Sequence, residues 1–138
     1  MVNFAKAFGA VAVAGLVAAG AFAGSGSAAA SAGDPMVTRC ASDAYTVTTQ
    51  PITNGGGGVV GQVQLRYSPR CGTNWARAVS YIGSAYLQAD VASPSDYVWF
   101  TATSTSIYTD MVYAPNGTCA RASASINNGP WSAYAVGC

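Results

Sequence analysis

The sequence predicts an all-β domain, a small disulfide-stapled β-sandwich or barrel of about seven to eight short strands. Three observations carry that expectation. Apolar and polar residues alternate with a period of two along much of residues 45–136. Clusters of Gly, Pro, Asn and Ser interrupt the alternation roughly every 8–12 residues, as turns do between strands. The four cysteines all lie at or beyond position 40, an even set in a short stretch of chain.

Residues 1–32 read as a secretory signal peptide that is no part of the fold. Lys6 supplies a positive start, and residues 7–23 are Ala, Val, Gly, Leu and Phe without a charge. Ala30-Ser31-Ala32 offers the small side chains that cleavage requires before Gly33, with Ala21-Phe22-Ala23 and Ala28-Ala29-Ala30 as rival sites. A retained membrane anchor fits less well, because the apolar stretch is short, broken by glycines and without a basic flank. The expected organisation is therefore signal peptide 1–32, flexible lead-in 33–39 and β domain 40–138. Export places the mature protein outside the cell.

Removal of the signal also removes the only lysine. Five arginines then face five aspartates, with no Glu and no His. A neutral surface argues against nucleic acid, whose phosphates need many uncompensated cations, and against anionic membranes after cleavage. In an oxidising compartment Cys40, Cys71, Cys119 and Cys138 are expected to pair. Of the possible connectivities, Cys40–Cys71 and Cys119–Cys138 are favoured because each joins the ends of one sequence block. Zinc is the other use of cysteines, but the spacings are wide and no C-x-x-C occurs. No metal and no cofactor are expected.

Along the mature chain, residues 33–39 show no repeating pattern. Tyr45, Val47 and Thr49 then alternate with Thr46 and Thr48 until Pro51 ends the run. Asn54 and the glycines at 55–58 form a flexible hairpin loop. Val63, Leu65 and Tyr67 alternate with Gln62, Gln64 and Arg66, the clearest half-buried strand. Ser68-Pro69-Arg70-Cys71-Gly72 turns the chain. Trp75, Arg77, Val79 and Tyr81 alternate with Ala76, Ala78 and Ser80. That stretch also fits a short helix, and the period favours strand. Ala85, Leu87, Ala89 and Val91 oppose Tyr86, Gln88 and Asp90, and Tyr97–Phe100 follows a turn at Pro94-Ser95. The last strands are expected at 106–113, 118–126 and 131–136, separated by Pro115-Asn116-Gly117 and Asn127-Asn128-Gly129-Pro130. Most of the aromatics are expected in the core, since a small domain has few other bulky residues to fill it.

Cys40-Ala41-Ser42-Asp43-Ala44 and Leu65-Arg66-Tyr67-Ser68, followed by Cys71 and Trp75-Ala76-Arg77, resemble the YjfA-type family. That family comprises small secreted proteins of Gram-positive bacteria, frequent in actinobacteria, with a domain of unknown function. Asp34-Pro35 and Met111-Val112-Tyr113 extend the resemblance over most of 34–125. An extra cysteine pair found upstream of the Asp-Pro in many relatives is absent here. Proteins of this kind also resemble the small bridging subunit of umbrella toxin particles, which links a toxin-bearing stalk to lectin-like subunits. The resemblance implies an adaptor with toxin and lectin-like subunits among its partners.

The chemistry points the same way. No His means no Ser-His-Asp or Cys-His apparatus, and a mature chain without lysine has no Ser-Lys dyad or Schiff base. Five Asp could in principle include a glycosidase pair, but only Asp90, Asp96 and Asp110 lie close enough in sequence to consider and nothing fixes their geometry. No catalytic residue is assigned and no enzyme is expected. Arg66, Arg70, Tyr67 and Tyr113 are the expected partner-binding residues, because Arg and Tyr dominate hot spots and turn-proximal arginines are exposed. The lead-in residues Asp34, Pro35, Met36 and Val37 are expected to add a strap or strand to a second partner. Asp43, Trp75 and Arg77 are assigned structural roles, with Arg77 pairing Asp43 and packing on Trp75. The expected function is that of a secreted, non-enzymatic binding or adaptor protein in an extracellular complex. The alternatives are a carbohydrate or cell-wall binding module, from the exposed aromatics and Asp, and a secreted hydrolase inhibitor.

Overall fold

The structure, a computed structural model, describes residues 32–128 and 131–138, so the expected signal peptide lies outside the described residues apart from Ala32. A single turn of 3-10 helix, Cys40–Asp43, precedes nine strands. These are β1 (Tyr45–Thr53), β2 (Val59–Ser68), β3 (Thr73–Ser80), β4 (Ala85–Ala92), β5 (Tyr97–Ser104), β6 (Ser106–Tyr108), β7 (Val112–Tyr113), β8 (Ala120–Ile126) and β9 (Trp131–Gly137). They form two antiparallel sheets. One has the order β1-β2-β3-β6, with β7 also paired to β3, and the other β5-β4-β8-β9. The sheets do not close on each other, so the architecture is a sandwich and not a barrel. The stretch that also fitted a short helix is strand from Thr73 to Ser80, as its period indicated, and Tyr81 and Ile82 lie in the bend that follows.

Two strand boundaries differ from expectation. Pro51 does not end β1, which continues to Thr53 and buries Ile52 completely. Proline is tolerated there because β1 is the edge of its sheet and one row of its backbone groups needs no partner. The single strand expected at 106–113 is two strands. At the break Thr109 donates its backbone N–H to Ala76 O at 3.0 Å, while its Oγ1 accepts the Ala76 N–H at 3.1 Å. A side-chain oxygen thus takes the place of a ladder carbonyl, and the chain turns away.

The core corrects a larger expectation. Small and aliphatic residues fill the space between the sheets: Ala76, Ala78, Leu87, Ala89, Val91 and Ala122 are all fully buried. Most aromatics point outward, among them Tyr81, Tyr86, Tyr97, Trp99 and Tyr134. Strict alternation makes the two phases of each strand exclusive, and in β3 the small phase faces inward. Small inward residues let the sheets approach closely. Gly61 lies where a Cβ would meet Ile126 Cδ1 of the facing sheet at 2.8 Å, besides Val79 O of the neighbouring strand at 2.3 Å, and at Gly137 one would meet Val47 Cγ1 at 2.5 Å. The second glycine lets β9 close over β1 at one margin of the sandwich.

Both expected disulfides form, Cys40–Cys71 and Cys119–Cys138. Among the described residues no helix is long and apolar enough to cross a membrane.

Candidate interaction surfaces

One end of the sandwich gathers most of the residues singled out by sequence. The lead-in forms a hydrogen-bonded turn. Asp34 Oδ1 accepts the backbone N–H of Met36 at 2.8 Å, and the Asp34 carbonyl accepts both Thr38 N–H at 3.0 Å and Thr38 Oγ1 at 2.8 Å. Ala32 N–H donates to Met111 O, and Met111 N–H to Gly33 O, which fastens the turn to the body of the domain. Pro35 is fully buried and its carbonyl accepts the Ala41 N–H, so it supports the turn and offers no contact surface. Met36 and Val37 are the apolar residues left outside, 63% and 80% exposed.

The first disulfide lies beneath this turn, with Cα atoms 5.9 Å apart. Cys40, Trp75 and Met111 form a small cluster of their own, outside the inter-sheet core. Trp75 is buried in that cluster. Asp43 engages partners other than Arg77. Its carboxylate accepts Ser68 Oγ at 2.6 Å and the Arg70 backbone N–H at 2.8 Å. The Ser68 hydroxyl first, and then the Arg70 amide, hold this carboxyl below the usual carboxylate range. Arg77 lies on the outer face of β3 and reaches across to Gln64 Oε1 at 3.5 Å. The pairing of Asp43 with Arg77 does not form, because Asp43 sits beyond the strand ends and the 68–72 turn is closer to it.

Arg70 and Arg66 also have local tasks. The Arg70 guanidinium donates to Arg39 O, clasping the 68–72 turn to the lead-in. Arg66 Nη1 donates to Thr46 Oγ1 at 2.6 Å. Partial burial, and secondarily the nearby Arg77 charge, lower its pKa. Tyr67 stacks edge-on with Tyr45, ring centroids 5.9 Å apart. Tyr113 is 55% exposed and its ring edge lies over Gly72, next to Cys71. This end of the sandwich therefore presents Met36 and Val37 on a stapled turn, with Tyr113 exposed over Gly72.

Sequence reasoning missed a second surface, the outer face of β5-β4-β8-β9. Cross-strand register places Trp99, Asp90, Ser123 and Tyr134 in one line across all four strands. Tyr97 and Arg121 flank it, both opposite Ala92. Tyr97 Oη donates to Asp90 Oδ2 at 3.3 Å, and Arg121 lies 5.8 Å from the Tyr134 ring centroid. Burial raises the Asp90 carboxyl pKa, against hydrogen bonds from Ser123 and Tyr97 and the Arg121 charge. Burial and the Asp90 charge raise the Tyr97 phenol. Beside Tyr134 an open cleft of about 610 Å³ is lined by Gln50, Ser123, Ser132 and Ala133. The outward phase of β4 was visible in the sequence, but which residues stand opposite it was not.

The DUF2690 family profile, described as a protein of unknown function, matches residues 28–124. The chain belongs to this family. The matched region of the DUF2690 chain contains the whole first disulfide and the turn it staples, whereas Cys138 of the second disulfide lies beyond it. No curated protein and no solved structure matches the chain.

Proposed function

We propose that this DUF2690 protein is an exported, non-enzymatic binding module that docks a partner protein with its stapled end. The observation that carries the reading is the pair Met36 and Val37. Two apolar side chains stand exposed on a turn held by Asp34, by buried Pro35 and by the Cys40–Cys71 bridge. An exposed apolar pair on a rigid turn has already lost the freedom that association would otherwise take from it. Tyr113, over the glycine next to Cys71, adds large amphipathic area of the kind that dominates protein hot spots. The resemblance to the YjfA-type family, and to the bridging subunit of umbrella toxin particles, supports partners of one kind: toxin and lectin-like subunits of an extracellular complex.

Co-purification from culture supernatant, read by mass spectrometry, tests the reading. The tagged protein is expected to bring down a secreted partner, and Val37→Asp to lose it with unfolding behaviour unchanged. Recovery of monomer alone under several growth conditions, or a partner retained by Val37→Asp and by Met36→Asp, overturns it.

A further inference from the structure

The outer face of β5-β4-β8-β9 lies on the other sheet from the stapled turn and has a different anatomy. A protein-docking patch places apolar anchors at its centre and polar groups at its rim. Along the register line through Asp90 the order is inverted, with Tyr86 exposed further along β4. Trp99 on β5 and Tyr134 on β9, 39% and 62% exposed, stand at the two margins. Between them lie Asp90 and Ser123, and in the next register line Gln88 and Ser125. Three strand spacings separate the margins, roughly 14 Å, the length of a short oligosaccharide.

The charges on the face balance within it. Asp90 is engaged by the Tyr97 hydroxyl and by Ser123, and Arg121 lies against the Tyr134 ring. One carboxylate and one guanidinium leave no net field for a polyanion or a polycation to follow. What remains is a set of aromatic plates separated by hydroxyl, amide and carboxylate groups. A pyranose ring with equatorial hydroxyls has the matching chemistry, with apolar C–H faces above and below and a belt of hydroxyls around its edge. Aromatic rings take the faces; Gln88, Ser123 and Asp90 take the hydroxyls. The cleft beside Tyr134, with Gln50 and Ser132 in its wall, is of a size that holds small ligands.

The geometry points to a glycan-binding platform on this face, with Trp99 and Tyr134 as stacking plates for a neutral β-linked polymer of gluco-configured sugars. A β-linked chain of such sugars is extended and flat, which suits a face with one straight line of contacts across four strands. The module then carries two sites on different surfaces, one for a protein and one for a glycan.

Affinity electrophoresis and heteronuclear NMR titration of the oxidised protein, with cellohexaose and chitohexaose as probes, test the proposal. Binding to at least one probe is expected, with shifts centred on β4, β5, β8 and β9. Trp99→Ala and Tyr134→Ala should each weaken it at least tenfold, and Tyr113→Ala at the stapled end should leave it unchanged. Tyr134 is the safer substitution, being the more exposed of the two, so loss of binding there is not loss of fold. Absence of binding to both probes overturns the proposal, as does binding that survives both substitutions. A glycan-binding protein that recovers no protein partner overturns only the reading of the stapled end. A protein partner retained by Val37→Asp but lost in Tyr134→Ala shows that this face docks a protein and overturns the glycan assignment.

Discussion

Gly61→Ala should destabilise the domain sharply, although it adds one methyl group to a strand. Gly61 lies on β2 opposite Ser80, facing β8 across the sandwich. The added Cβ would fall 2.3 Å from Val79 O and 2.8 Å from Ile126 Cδ1. The Ile126 methyl can rotate away at modest cost. The Val79 carbonyl cannot, because it belongs to β3, which is paired on both sides, with Val79 opposite Gln62 and Ser106. Ordinary contact requires the backbone to retreat by about 1 Å, which strains or breaks a ladder hydrogen bond. Overpacking costs about 1–3 kcal/mol, and a compromised hydrogen bond about 1 kcal/mol more. Restricting the unfolded chain returns about 0.4–1 kcal/mol. The net loss is about 2 kcal/mol, which lowers Tm by roughly 8–16 °C in a domain of this size. Gly55→Ala is the control, since no atom lies within 4 Å of its added Cβ. It should leave Tm unchanged or raise it by a few degrees. Thermal unfolding of both oxidised variants, followed by circular dichroism, reads the difference. Equal midpoints would refute the close packing of the β3 backbone and Ile126 around Gly61.

Four further variants test the same structure. Replacing Cys40 and Cys71 by serine opens a loop of sequence separation 31 and should cost about 4 kcal/mol by loop-closure entropy, read by urea unfolding. The same variant should red-shift tryptophan emission as Trp75 loses its cover. Asp43→Asn removes a carboxylate whose pKa is depressed in the fold. Its contribution is fully present above the unfolded value near 4 and is lost as pH falls through the folded value, so the gap between wild type and variant in Tm should close on acidification. Asp90→Asn has the opposite sign, because a raised pKa means the ionised form is disfavoured in the fold. The variant should melt higher than wild type at pH 7, and the gain should shrink as pH falls through the raised folded value. Leu87→Ala empties a fully buried site between the sheets and should cost about 2–5 kcal/mol in urea unfolding.

Much of this architecture was legible in the residues. Period-two alternation named the strands at 62–67, 85–91 and 97–100, because a strand with one buried face leaves that mark directly in the chain. The turns at 54–58 and 68–72 followed from backbone chemistry that is local. The disulfide pairing followed from sequence blocks, each closing on itself. Alternation does not say which phase faces in, however. In β3 the phase with Trp75, Arg77 and Val79 is the bulkier one, yet it is Ala76 and Ala78 that face the other sheet.

What the chain by itself determined was therefore period, punctuation and covalent linkage, all set by interactions between near neighbours. Only the tertiary structure decided that alanines line the core, that Asp43 holds Ser68 and Arg70 instead of Arg77, and that Pro35 is buried beneath an exposed Met36 and Val37. It also decided the line of Trp99, Asp90, Ser123 and Tyr134, whose members come from four strands. The physical reason is common to all of these. Face and register depend on which strand lies alongside and how far apart the sheets pack, and those distances are set between segments remote in sequence.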